Sequence, residues 1–176
     1  MVVSRAANSD TFKVTTPADH EIVITRLFDA PRRLVFDAMT RPEHVRRWWG
    51  LLDERYSVPV CEIDLRPGGA WRFVGRGPMG EVVFYGVYRE ITPPERMVYT
   101  EIFEPAAVGG SEATANVITV TFEERNAKTE VVSRTLCQSQ KIRDTILESG
   151  MEHGMRETMD QLDRLVAELD AGTVTL

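Results

Sequence analysis

The sequence predicts an α+β domain in which a curved antiparallel sheet of six or seven strands wraps around a long C-terminal helix, with two short helices after the first strand. Three observations lead there. From Tyr56 to about Leu136 short β-rich runs follow one another across short turn clusters, which is the pattern of an antiparallel meander. Residues 31–50 are helix-patterned and break the first strand from the rest. The stretch 151–169 is amphipathic over roughly five turns and needs an apolar partner surface, and a sheet face is the largest one on offer.

Taken in order, residues 1–19 are polar apart from Phe12 and Val14 and end in Thr16, Pro17, Ala18 and Asp19, so they read as a loose arm with scope for one edge strand. A single domain is expected over 20–170, with 171–176 as a tail. Glu21 to Phe28 is short and β-branched, a first strand. Pro31 suits a first helical turn, and Leu34, Val35, Ala38 and Met39 follow at helical spacing. Thr40 to Glu43 has the form of a capping box opening a second helix that runs to Trp48 and Trp49, with Gly50 as its stop. Strands are expected at 56–65, 70–76, 81–91, 96–104, 116–124 and 129–137. Between them lie Arg66 to Gly69, Gly77 and Pro78, Thr92 to Pro94, Gly109 to Ser111, and Asn126 with Ala127. Ser139 to Ser149 carries Ile142, Ile146 and Leu147 on one helical side, and Ser149 to Glu152 reads as another capping box. The final helix then shows an apolar stripe of Met151, Met155, Thr158, Met159, Leu162, Leu165, Val166 and Leu169.

Composition narrows the function. The 176 residues, 43% of them hydrophobic, suffice for one sizeable core. With 21 Lys plus Arg against 27 Asp plus Glu the net charge is −6, so no global cationic field holds a nucleic acid or an anionic membrane. Neither is expected as a partner. No signal-peptide run opens the chain and no window reaches the roughly 18 apolar residues of a membrane span. Two cysteines, Cys61 and Cys137, are too few for a disulfide framework, which points to a reducing, cytoplasmic setting.

Motif spellings mostly fail on context. Gly75 to Gly80 matches a dinucleotide-binding fingerprint, but a strand follows where a helix N-terminus must receive the pyrophosphate, so a hairpin turn is the reading. Ser111 lacks the strand-to-helix turn of a nucleophile elbow. His20, His44 and His153 have no metal-ligand spacing, and His44 and His153 read as surface side chains; neither metal nor cofactor is expected. Among carboxylates, Glu62, Asp64, Glu90 and Glu101 fall inside strand patterns, where alternation turns some of them inward. An inward Glu62 or Glu101 can orient a polar ligand group or act as acid or base, with Tyr99 as a further candidate; the alternative is a structural pairing with Arg72 or Arg89. A curved sheet around one helix is hard to fill where inward positions are small or flexible, as at Gly86, Cys61, Thr158 and the methionines. A cavity is therefore expected. Its candidate ligand-binding residues are Trp48, Trp49, Phe73, Tyr85, Tyr99, Glu101, Met151, Met155 and Met159, each with a plain core alternative.

The run from Ile24 to Pro31, Val35 and Phe36, Pro42 to His44 with Trp48 to Gly50, Asp64 to Gly69, and Trp71 to Phe73 resembles the family of proteins similar to the activator of the heat-shock-protein-ninety ATPase. Gly86, Pro94 to Arg96, Gly150 to Gly154 and Asp160 to Arg164 extend the resemblance over about positions 20 to 170. It implies the helix-grip fold of the START, polyketide-cyclase and birch-pollen-allergen-like superfamily (SRPBCC), with a long C-terminal helix over a hydrophobic cavity. Many members carry tryptophan just after the glycine of that helix, where this chain has Met155.

The leading functional reading is a binder of a small hydrophobic or amphipathic molecule, of lipid, aromatic or polyketide-like character, with no catalytic constellation in evidence. A cyclase- or hydrolase-type enzyme using Glu101, Glu62 or a tyrosine is the alternative, and a chaperone-regulating interaction module comes third. Edge strands or the N-terminal arm would allow a homodimer.

Overall fold

A computed structural model describes residues 11–104 and 115–172. The turn cluster at Gly109 to Ser111 lies outside these residues. Eight strands form one antiparallel sheet: β1 (Lys13–Thr15), β2 (Glu21–Phe28), β3 (Ser57–Ile63), β4 (Ala70–Gly77), β5 (Gly80–Thr92), β6 (Arg96–Glu104), β7 (Asn116–Arg125) and β8 (Lys128–Leu136). Their spatial order is β1-β2-β8-β7-β6-β5-β4-β3. Helices α1 (Arg32–Thr40) and α2 (Pro42–Val45) separate β2 from β3, and α3 (Gln140–Glu148) precedes α4 (Met151–Asp170). This is the helix-grip arrangement, and its strand count exceeds the expected six or seven because Lys13–Thr15 pairs onto β2 as an edge strand.

Alternation fixes the two faces. Ile22, Ile24, Arg26 and Phe28 of β2 pair with Thr135, Ser133, Val131 and Thr129 of β8, and these continue through Ile118, Val120 and Phe122 of β7 to Tyr99 and Met97 of β6. On β5 and β4 the same face carries Tyr88, Phe84, Phe73 and Trp71. This is the concave face, since Arg26 on it reaches Asp160 of α4 at 2.8 Å and Asp163 at 3.9 Å. The opposite face carries Glu62, Arg72, Tyr85 and Ile102.

The core sits between the concave face and the second half of α4. Thr158, Met159, Leu162, Leu165, Val166 and Leu169 are buried there, and α1 adds Val35, Phe36 and Ala38, with Phe36 edge-on to Phe122 at 5.3 Å. Inside this core Arg26 is 1% exposed. A buried guanidinium is tolerated because two carboxylates of the helix face it, and it fixes α4 over β2.

Local capping differs from expectation at two places. Thr40 is still helical and its hydroxyl donates to the Phe36 carbonyl at 2.8 Å, so Arg41 and not Thr40 precedes α2. Ser149 likewise donates backward, to the Ile146 carbonyl at 2.6 Å, leaving Gly150 at φ +79° to open α4. A hydroxyl within the last turn of one helix finds that turn's carbonyls before it finds the next helix's amides. Ser139, which has no helix before it, does cap α3 by accepting from the Ile142 amide at 3.2 Å. The second helix also ends earlier than expected, at Val45, while Gly50 takes φ +62° as a stop residue does. No helix among the described residues is long and apolar enough to cross a membrane.

Candidate functional site

Aromatic side chains concentrate on the concave face at the β4–β6 end of the sheet. Trp71 lies 5.0 Å from Phe73 and 5.4 Å from Tyr99, ring centre to ring centre, and Tyr88 lies 5.9 Å from Tyr99. Trp49, carried in from the helical insert, meets Phe73 at 5.2 Å and Phe84 at 5.4 Å, and Phe84 meets Phe103 at 4.8 Å. Edge-on and tilted contacts of this kind are the arrangements aromatic quadrupoles favour. Trp71 and Tyr88 are buried; Trp49, Phe73, Phe84 and Tyr99 are half-buried, and Phe103 is 44% exposed.

Two glycines admit this cluster. A Cβ on Gly75 would stand 3.3 Å from the Trp49 ring, and one on Gly86 would stand 1.8 Å from the Thr100 carbonyl oxygen. That carbonyl is held at its post by the Trp71 indole, which donates to it at 3.1 Å, while the Thr100 hydroxyl accepts from the Val87 amide at 2.9 Å. Only glycine at position 86 allows β5 and β6 to close this far.

The helical side is graded. On α4 the stripe is buried from Thr158 onward but Met151 and Met155 are half-buried, and no residue of α3 is buried: Ile146 and Leu147 are half-covered and Ile142 is exposed. Packing thus falls off toward the start of α4.

Glu101 is two residues from Tyr99 on the concave side and stands opposite Asn116. Burial raises its carboxyl from the ordinary 4.5 to about 7, with no cation among the described residues to offset the lost hydration. Burial, and then the Glu101 carboxylate, push the Tyr99 phenol well above its usual 10. Glu101 nevertheless keeps some accessible surface, so it is enclosed without being covered. Near neutral pH this pair offers a carboxyl able to accept or donate a hydrogen bond beside a phenol that donates. No activated thiol accompanies it, since burial pushes Cys61 up to about 11 and also raises Cys137.

The other residues singled out from the sequence fall elsewhere. Trp48 is buried and braces the insert, its indole donating to the Ala38 carbonyl at 2.9 Å. Met159 belongs to the buried core. Tyr85 lies on the opposite face, hydrogen-bonded to Glu104 at 3.2 Å, and Glu62 is exposed on that face across from Arg72. His44, expected at the surface, is 3% exposed, and burial lowers its pKa. His153 is exposed as expected. Among the described residues no three His, Cys, Asp or Glu side chains converge as metal ligands. Sequence reasoning did not single out Arg26, although an arginine at an inward position between Ile24 and Phe28 is a visible break in the alternation.

The family model described as Activator of Hsp90 ATPase homolog 1-like protein matches residues 29–167. No curated protein sequence matches the chain. Among solved structures, a Rhodobacter sphaeroides protein superposes with a TM-score of 0.79 at 21% identity over 90% of this chain and 99% of its own. A Mycobacterium smegmatis protein gives 0.76 at 22% identity, covering 87% and 94%. The AHSA1-like protein from Aeromonas hydrophila gives 0.63 at 16% identity, covering 88% and 96%.

Proposed function

The chain belongs to the Activator of Hsp90 ATPase homolog 1-like family, and from that premise we propose that it binds a small, mainly apolar molecule between the concave face and the first half of α4. The observation that carries this reading is the coverage gradient. Trp49, Phe73, Phe84, Phe103, Met151 and Met155 are large, apolar and incompletely covered, whereas their counterparts at the other end of the same face are buried. Domain interiors are packed to crystal-like density, so a graded loss of packing around aromatics and flexible methionines fits a surface that a ligand completes. Each of these side chains gains roughly 25 cal/mol for every Å² of apolar area that a ligand covers.

Glu101 supports a second reading, a cyclase- or hydrolase-type enzyme, because a carboxyl poised near neutrality is suited to acid or base work. Neither cysteine supplies an activated thiol beside it, and binding without turnover accounts for the same geometry. A cytoplasmic location accords with Cys61 and Cys137, both buried and unbridged.

Native mass spectrometry of the purified protein tests the proposal. The expected result is the 19.9 kDa chain accompanied by a non-covalent small-molecule adduct that gentle activation removes. A bare chain that also takes up no hydrophobic probe dye in a saturable way would remove the binding reading.

A further inference from the structure

Glu101 is the one feature of the candidate site that an apolar ligand alone leaves without purpose. Its neighbours across the sheet are Asn116 on β7 and, on β5, the stretch between Tyr85 and Tyr88 that contains Gly86, so no bulky side chain caps it from that side. Among the described residues no arginine or lysine pairs with it. By contrast Glu90 has Arg96 at 2.8 Å and Glu21 has Arg134 at 2.8 Å. An enclosed carboxylate without a counter-ion is costly, and it becomes favourable only when a cation is brought to it.

The surroundings suit a cation supplied from outside. The half-buried Tyr99 ring, backed by Trp71 and Tyr88, stands two residues from Glu101 on the same face of β6, and electron-rich ring faces attract ammonium groups. Asn116 places a neutral amide, with its carbonyl acceptor, directly opposite. The net charge of −6 favours approach of cations over anions. The incompletely covered rings at this end of the sheet, Trp49, Phe73 and Phe84, are apolar.

Building on the binding function proposed above, we propose that the ligand is a cationic amphiphile, an apolar or aromatic body bearing an ammonium group, and that Glu101 receives this group beside the face of Tyr99. The body then lies against Phe73, Phe84 and Trp49, toward Met155.

The test is displacement of a bound hydrophobic probe dye, at neutral pH, by three compounds that share one naphthylmethyl body and differ only in head group: ammonium, hydroxyl or carboxylate. Wild-type protein is expected to bind the ammonium compound about tenfold more tightly than the hydroxyl compound, the ratio a charge-assisted hydrogen bond supplies, and the carboxylate compound most weakly. In Glu101→Gln the ammonium preference is expected to vanish, read as the ratio of the three displacement constants to one another, in which any change of dye affinity cancels. Equal displacement by all three, preference for the carboxylate compound, or a preference unchanged in Glu101→Gln overturns the inference and leaves the binding function standing. Failure of the dye itself to bind overturns both.

Discussion

Replacing Glu101 by glutamine changes no shape and removes one ionisation, which makes its effect on stability calculable. Burial raises the folded-state carboxyl from 4.5 to about 7. A carboxyl raised in this way favours the protonated folded form, so its contribution is fully present below pH 4.5, declines as the pH rises, and is lost once the pH has passed 7. The loss comes to about 3 kcal/mol between those limits. Glutamine resembles the protonated acid at every pH. Urea denaturation of both proteins from pH 4 to pH 8 is therefore expected to give equal stabilities at pH 4 and a variant more stable by about 3 kcal/mol at pH 8. Other titrating groups cancel in the difference, because both proteins carry them; Tyr99 and Cys137, the two that Glu101 acts on, are both raised and remain protonated across this range. Parallel curves, with no gap opening between pH 4.5 and 7, would refute the reasoning by showing that water reaches the carboxylate freely.

Met155→Trp is expected to hold or raise the thermal midpoint and to weaken probe-dye binding, since the indole fills the half-covered space at the start of α4; in a closed core the same change costs about 1–3 kcal/mol. Gly86→Ala is expected to destabilise by about 3 kcal/mol or more in the same denaturation assay, because its methyl would stand 1.8 Å from the Thr100 carbonyl oxygen. Arg26→Met is expected to cost about 3–5 kcal/mol by removing the guanidinium that Asp160 and Asp163 of α4 face, and a loss under 1 kcal/mol would show that the pair does not hold α4 to β2.

The strands were legible because each is bounded by turn chemistry that admits little else. Asn126 and Ala127, at φ +53° and +60°, close the β7–β8 hairpin where the sequence places a turn, and 21–28 and 96–104 match their strands residue for residue. The short helices were legible as helices but not in their caps, since a hydroxyl's choice between forward amides and backward carbonyls depends on whether a helix already precedes it. Face assignment was the harder matter. Tyr85 and Phe84 are adjacent and both aromatic, and only the register with Ile102 and Phe103 decides which one faces the helix. Glu62 and Glu101 differ in the same way: each is a glutamate in an alternating strand, and the pairing Glu62 with Arg72 sends one to the open face while Tyr99's ring contacts send the other inward. Trp48 and Trp49 divide similarly, one braced on Ala38 and the other laid on Gly75.

The central claim, a ligand surface on the concave face at the start of α4, can be read from the seven methionines, which the sequence distributes over the molecule. With methyl-labelled methionine, a two-dimensional NMR spectrum recorded during titration with a hydrophobic probe reports on each of them. Met151 and Met155 are expected to shift in a saturable manner. Met79, fully exposed at the β4–β5 hairpin, and Met39, on α1, are expected to stay in place. Shifts confined to Met79, or no shift at Met151 and Met155 at saturating probe, would contradict the account.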